Sequence, residues 1–154
     1  ISLPGHFFDM VGFKTPDDVI YLADCLSSSG TLNKYHITFI YDVEKYLATL
    51  EYVKGLQAKF FVPAHAEVSE NISELAQINI DKVHEIAGKI LKICETPLNF
   101  ESVLQKLFAE YNLTMNFEQY VLVGSTVRSY LSWLKENGKL NARFENNFLL
   151  WERA

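Results

Sequence analysis

Cysteine is scarce in this chain: 154 residues contain two, Cys25 and Cys94. Two cannot build a disulfide framework, so the sequence points to a reducing, cytoplasmic setting rather than a stapled secreted scaffold. Excess positive charge is missing as well. Fourteen Lys and Arg stand against nineteen Asp and Glu, a net of −5, which argues against holding nucleic acid or an anionic membrane by bulk charge. No apolar run approaches the roughly 18–20 residues that span a bilayer, and no signal-peptide pattern opens the sequence. A glycine-rich phosphate loop is absent, and Ser27-Ser28-Ser29 lacks the context of a nucleophile elbow. There is no internal repeat.

What is present is an ordinary globular composition, 49% hydrophobic and 21% charged, in a length that allows one sizeable core or two small ones. Polarity periods divide the chain near Glu95-Thr96-Pro97, where proline disfavours helix continuation. Residues 1–95 alternate short apolar runs with helical stretches, as an α/β layer does. Met10–Phe13 and Val19–Ala23 read as buried strands joined by the turn Thr15-Pro16-Asp17-Asp18, followed by a loop at Ser27–Gly30. Val43, Leu47, Leu50, Val53 and Leu56 fall at helical steps, and Lys59–Val62 reads as a short buried strand stopped by Pro63. Asn71 with Glu74 forms a capping-box-like start for a long helix whose apolar face carries Leu75, Ile78, Val83, Ile86, Ile90 and Cys94. Residues 96–154 predict three short helices, opened by Asn99, Asn116 and Ser125, and then a hairpin around Glu145-Asn146-Asn147. Three helices and a hairpin make a winged-helix-like arrangement.

Three segments of the first part place a potential metal ligand beside a strand end: Pro4-Gly5-His6, Leu22-Ala23-Asp24 and Pro63-Ala64-His65. Taken singly, each histidine also reads as a turn or loop residue, and Asp24 as a cap for the following serines. As a set they offer two imidazoles and a carboxylate, N/O donors suited to zinc and also to iron or manganese. A carboxylate can bridge two cations about 3.5–4 Å apart, which jointly lower the pKa of a water between them. Cys25 follows Asp24 as a further donor or as a small buried hydrophobe. His84 falls mid-helix beside Lys82 and Glu85, a solvated face, and His36 stands apart from the three segments.

Pro4-Gly5-His6, then Val11-Gly12-Phe13, a Pro-Asp-Asp turn, the strand Tyr21–Asp24, the helix from Asp42 to Leu56 and Val62-Pro63-Ala64-His65 follow one another in an order that resembles the second half of the metallo-β-lactamase-fold hydrolases. The resemblance implies an α/β (α+β) chain: half of an αβ/βα sandwich over 1–95, then a winged-helix-like domain over 96–154. It implies that His6 binds a first metal, that Asp24, the catalytic carboxylate, bridges both, and that His65 binds the second. Ala23 and Ala64 depart from the glycines usual there, and Phe7-Phe8-Asp9 replaces small residues after the first histidine.

The family's His-x-His-x-Asp-His motif is absent from these 154 residues. The resemblance therefore implies the C-terminal part of a zinc hydrolase that cleaves an ester, thioester or related bond of a small-molecule substrate. Ile1 then reads as a cut through an enzyme. The expected partners are the missing N-terminal half and, through uncovered apolar surface, a second copy; no membrane is among them. The full protein is expected to hold two zinc ions, with iron or manganese as substitutes, and this chain alone to bind metal weakly and to be inactive. The alternative is a non-enzymatic interaction or nucleic-acid-binding module using the winged helix, or a nuclease of the same fold. From Thr96 onward six basic residues balance six acidic ones, a footprint that disfavours nucleic acid.

Overall fold

The computed structural model describes all residues, Ile1–Ala154. Two compact units emerge, Ile1–Val83 and His84–Ala154. Their division falls inside a long helix, upstream of the Glu95–Pro97 break in the sequence pattern.

The first unit is built on a three-stranded sheet of β1 (Phe13–Lys14), β2 (Val19–Ser27) and β3 (Phe60–His65), in the order β1-β2-β3. β1 runs antiparallel to β2, and β2 parallel to β3. A parallel pair needs a crossover, supplied here by helices α1 (Ser29–Tyr35) and α2 (Val43–Lys54). Ser28 and Asp42 cap their N-termini by accepting the backbone N–H of Thr31 and Lys45. Ile20 and Leu22 of β2 are buried, as are Val43, Tyr46, Leu50 and Val53 of α2. Ile72, just before α3 (Ser73–Ile93), and Ala76, Ile80 and Val83 in its first half complete that core.

Several sequence expectations shift here. Met10–Phe13 is not a buried strand: only Phe13 enters β1, and Val11 and Phe13 are exposed. Apolar composition misled because this segment lies on the open side of the sheet, where Tyr21 is exposed too. Ser29 and Gly30 belong to α1 rather than to a loop. Pro63 does not stop β3; it sits on an edge strand opposite Ala23, where the register slips and its missing N–H costs no ladder bond. On α3, Leu75 and Ile78 are half-buried, whereas Ala76, Asn79 and Ile80 face inward.

In the second unit α3 is followed by β4 (Leu98–Asn99), α4 (Phe100–Glu110), α5 (Phe117–Glu136), β5 (Leu140–Glu145) and β6 (Phe148–Arg153). The strands form an antiparallel sheet in the order β4-β6-β5. Asn146 and Asn147, both at positive φ (49° and 65°), make the two-residue hairpin turn between β5 and β6. The core is drawn from Val103, Leu104 and Leu107 of α4 with Val127, Tyr130, Leu131 and Leu134 of α5.

The expected second and third helices are one helix, α5. Asn116 caps it by accepting from Gln119 N, whereas the Ser125 hydroxyl donates back to the Val121 carbonyl inside it. That bond removes Ser125 as a start signal. Replacing Asn116 with alanine is expected to cost about 1 kcal/mol, and Ser125→Ala to stay within about 0.5 kcal/mol. Thermal melts of the two variants would distinguish one helix from two.

Candidate functional site

His6 lies in a loop whose backbone is fixed from several directions. Leu3 N donates to Met10 O at 2.8 Å and Gly5 N to Phe7 O at 3.1 Å, closing the loop on itself. The Gly5 carbonyl accepts from Tyr41 N and Asp42 N, each at 3.0 Å, and the Thr49 hydroxyl donates to Pro4 O at 2.6 Å. These bonds tie the Pro-Gly-His turn to the start of α2. Gly5 sits at φ +121°, and a Cβ there would lie 2.3 Å from both Tyr46 N and Tyr46 Cα. Only glycine lets the turn come this close to the helix. The His6 ring meets Phe39 edge-on, with centroids 5.4 Å apart.

Asp24 is carried by an irregular stretch of β2. Tyr21 pairs with Val62 and Ala23 with Pro63, two residues against one, and by Ser27↔His65 four steps of β2 have matched two of β3. Extra residues in one strand make a bulge, which re-aims side chains. The inside–outside alternation of β2 breaks at Ala23 and Asp24, both half-buried, before Cys25, Leu26 and Ser27 turn inward. Ala23 takes φ +48°, a conformation an L-residue adopts at a cost and glycine does not. Ala23→Gly is therefore expected to raise stability by about 0.5–1 kcal/mol, after the greater freedom of glycine in the unfolded chain is offset. Chemical denaturation at constant m-value would register the gain.

His65 ends β3, where its carbonyl accepts Ser28 N at 3.0 Å. The three side chains that the sequence singles out are brought together in a row with Asp24 in the middle. His6 Nε2 is 3.9 Å from Asp24 Oδ2, and His65 Nε2 is 3.2 Å from Asp24 Oδ1. Each imidazole thus addresses a different oxygen of one carboxylate. Burial outweighs the Asp24 charge at His6 and lowers its pKa, with the His65 charge acting in the same direction. A histidine lowered from 6.5 is a neutral imidazole at neutral pH, with a lone pair free to donate to a metal.

The donor chemistry suits zinc, iron or manganese. The number falls short. No three His, Cys, Asp or Glu side chains form a group that could hold an ion, since the two histidines flank Asp24 instead of converging with it. Cys25, beside Asp24, is fully buried, and burial pushes its thiol to about 12; it packs as a small hydrophobe. His36 is half-buried at the end of α1, and His84 is exposed on α3.

One residue that sequence reasoning missed holds the row in place. Asn79 of α3 is 1% exposed. Its Oδ1 accepts Ser27 N at 3.0 Å, its Nδ2 donates to Ser27 O at 2.9 Å and to Leu75 O at 2.8 Å, and Tyr46 Oη donates to Oδ1 at 3.4 Å. This amide satisfies both backbone groups of Ser27, at the point where β2 leaves its bulge and pairs with His65. The signal was available: a polar residue on the apolar stripe of an amphipathic helix.

No protein-family model and no curated protein matches this sequence. Solved structures do share the fold. One is the crystal structure of a metallo-beta-lactamase family protein from Thermus thermophilus, with a TM-score of 0.75 and 13% identity, over 100% of this chain and 48% of that one. Another is a beta-lactamase domain protein from Burkholderia ambifaria, at 0.70 and 13%, over 97% of this chain and 46% of that one. The chain spans about half the length of both. Its architecture is that of half a metallo-β-lactamase-fold protein, and no helix is long and apolar enough to cross a membrane.

Proposed function

We propose that His6, Asp24 and His65 are one flank of a two-metal hydrolytic centre, whose remaining ligands come from residues outside these 154. The observation that carries this reading is the carboxylate of Asp24 standing between two imidazoles and turning a different oxygen to each. A bridging ligand needs that arrangement, and a simple ion pair does not. When bound, two zinc ions, or iron or manganese, supply Lewis acidity and a hydroxide at neutral pH. This chain contributes a neutral His6 lone pair, a carboxylate able to offset charge on both sides, and rigid mounts at a docked turn, a bulge and a strand end. The reaction class is hydrolysis of an ester, thioester or related bond in a small molecule.

The uncovered face of the first sheet, with Val11, Phe13 and Tyr21 exposed, is the surface on which we place the N-terminal half of the sandwich. Without that half, a second copy takes its place, and the 154-residue chain is inactive. Two buried free thiols suit a cytoplasmic location. The test measures metal content and ester or thioester turnover in the complete protein and in this chain. Asp24→Asn in the complete protein is expected to reduce both metal content and turnover, turnover by at least about 100-fold, the upper range for losing even an outer-sphere partner. Full turnover in that variant, or in the 154-residue chain alone, would overturn the reading.

For the second unit, the order α3-β4-α4-α5-β5-β6 with strands arranged β4-β6-β5 supports a winged-helix-like tail. We assign it a packing role. Of the two basic residues on the would-be recognition helix α5, Arg128 and Lys135, Arg128 lies 3.5 Å from the Phe100 ring centre, so its charge is engaged within the unit and only Lys135 is left to offer to phosphates.

A further inference from the structure

The two sheets present four edges, β1, β3, β4 and β5, and three of them are closed to further pairing. β1 and β4 are only two residues long. β3 contains Pro63 and slips register against β2. Its outer side is bridged as well, where Phe61 N donates to Ser69 O at 2.7 Å and Ser69 N to Phe61 O at 3.1 Å. Short length, proline, irregular register and a covering segment are the usual means of keeping an edge from pairing with another chain. β5 has none of them. It runs for six residues, Leu140–Glu145, without proline, and pairs with β6 in unbroken register.

The hairpin shows which groups of β5 are left over. Glu145 and Phe148 close its two-residue turn, so Glu145, Arg143 and Asn141 exchange backbone bonds with β6. The Lys139 carbonyl continues that series by accepting Ala154 N at 3.1 Å. Leu140, Ala142 and Phe144 therefore turn N–H and C=O outward. Their side chains share the core face of the sheet, where Leu140 is buried and Phe144 is 76% exposed.

Charge says what fits this edge. A cation often guards an edge strand, but the Arg143 guanidinium bonds to Glu145 and, at 3.3 Å, to Glu152. One cation there meets two carboxylates, which leaves an excess of negative charge beside the turn. At the other end of the strand Lys139 is exposed and carries its charge without an ion-pair partner. A second β5 run antiparallel complements both ends. With a twofold axis at Ala142, Lys139 falls opposite the partner's Glu145, Leu140 opposite the partner's Phe144, and Asn141 opposite the partner's Arg143. A slide of two residues is the smallest that keeps outward groups facing each other. One way it sets Arg143 against the partner's Arg143, and the other way Lys139 against the partner's Arg143. Like charges directly opposite are destabilising, so charge selects one register.

We propose that β5 is a docking edge for a second copy of this chain, the two strands pairing antiparallel about Ala142 and joining two three-stranded sheets into one. Each chain has one such edge, so the pairing closes at two copies and does not grow into a fibre. The contact is one strand wide, smaller than a permanent interface, and the dimer is accordingly reversible. It is separate from the open face of the first sheet and independent of the hydrolytic reading.

Leu140 and Phe144 lie four residues apart on an extended strand, about 13 Å, too far for a nuclear Overhauser contact within one copy. A mixture of isotope-labelled and unlabelled 154-residue chain is therefore expected to show Phe144 ring protons against Leu140 methyls. Sedimentation of the same chain should show a monomer–dimer equilibrium. Lys139→Glu and, separately, Glu145→Lys put like charges at both ends of the pairing and should each weaken the dimer at least about tenfold. An equimolar mixture of the two variants should recover the original association, because each mixed dimer carries two opposite-charge pairs. Circular dichroism checks that both are folded, and the Overhauser contact in the unaltered chain decides the matter should either unfold. A monomer at every concentration would overturn the proposal. So would association without the Leu140–Phe144 contact, which belongs to the first sheet, single variants that dimerise like the original chain, or a mixture that recovers nothing.

Discussion

Gly5→Ala is expected to destabilise the first unit by roughly 3 kcal/mol or more, enough to unfold a marginal domain. Two separate costs combine. An L-residue at φ +121° is outside its allowed regions, and the new methyl would lie 2.3 Å from two backbone atoms of Tyr46. Side chains can rotate away from such a clash; a helix backbone cannot, so the turn must lift off α2. Lifting it breaks the bonds from Tyr41 N, Asp42 N and the Thr49 hydroxyl, and moves His6 away from Asp24. Urea denaturation gives the stability loss. A variant with wild-type midpoint would show that the turn has another way to dock.

Asn79→Ala carries the second large effect, about 3–5 kcal/mol, because it strands buried partners rather than only deleting a bond. Ser27 N–H, Ser27 C=O and the Tyr46 hydroxyl each lose their partner on Asn79, in a region where Ser27 is 7% exposed and Tyr46 3%. Asn79→Asp is the informative companion. A carboxylate still accepts from Ser27 N–H but repels the Ser27 carbonyl, so it should not rescue stability. Hydrogen exchange at the Ser27 amide checks the mechanism: its protection should collapse in Asn79→Ala, where the acceptor is gone, while amides of α4 and α5 keep theirs.

The sequence made some of this legible and hid the rest for physical reasons. Helix α2 was plain because Val43, Leu50 and Val53 are apolar at helical steps and Asp42 is a strong cap. The hairpin of β5 and β6 was plain because Asn-Asn tolerates the positive φ its turn requires. Helix α1 was hidden because serine and glycine signal loops, although Ser28 caps and Leu32 anchors the helix. Met10–Phe13 looked like core because apolar composition does not say which side of a sheet it faces. Strand β4 escaped because two residues carry no period. As for the site, Pro-Gly-His, the Asp24 strand and Pro-Ala-His marked three segments, and the structure brings both imidazoles within 4 Å of the Asp24 carboxylate. The bulge that turns Asp24 and the amide that holds Ser27 arise from register and tertiary bonding, which local patterns do not encode.

The parallel pairing of β2 with β3 also sets the order in which the row can assemble. His6 reaches its place through contacts with the start of α2, whereas Asp24 and His65 meet only when the whole crossover from Ser28 to Lys59 has closed. Closing such a loop costs entropy before the strand contacts return it, and non-local parallel pairs form late for that reason. Because that closure is the costly step, the carboxylate and the second imidazole should become neighbours as the folding barrier is crossed. Substitutions that weaken the pairing of β2 with β3 would then slow folding of the first unit more than they speed its unfolding.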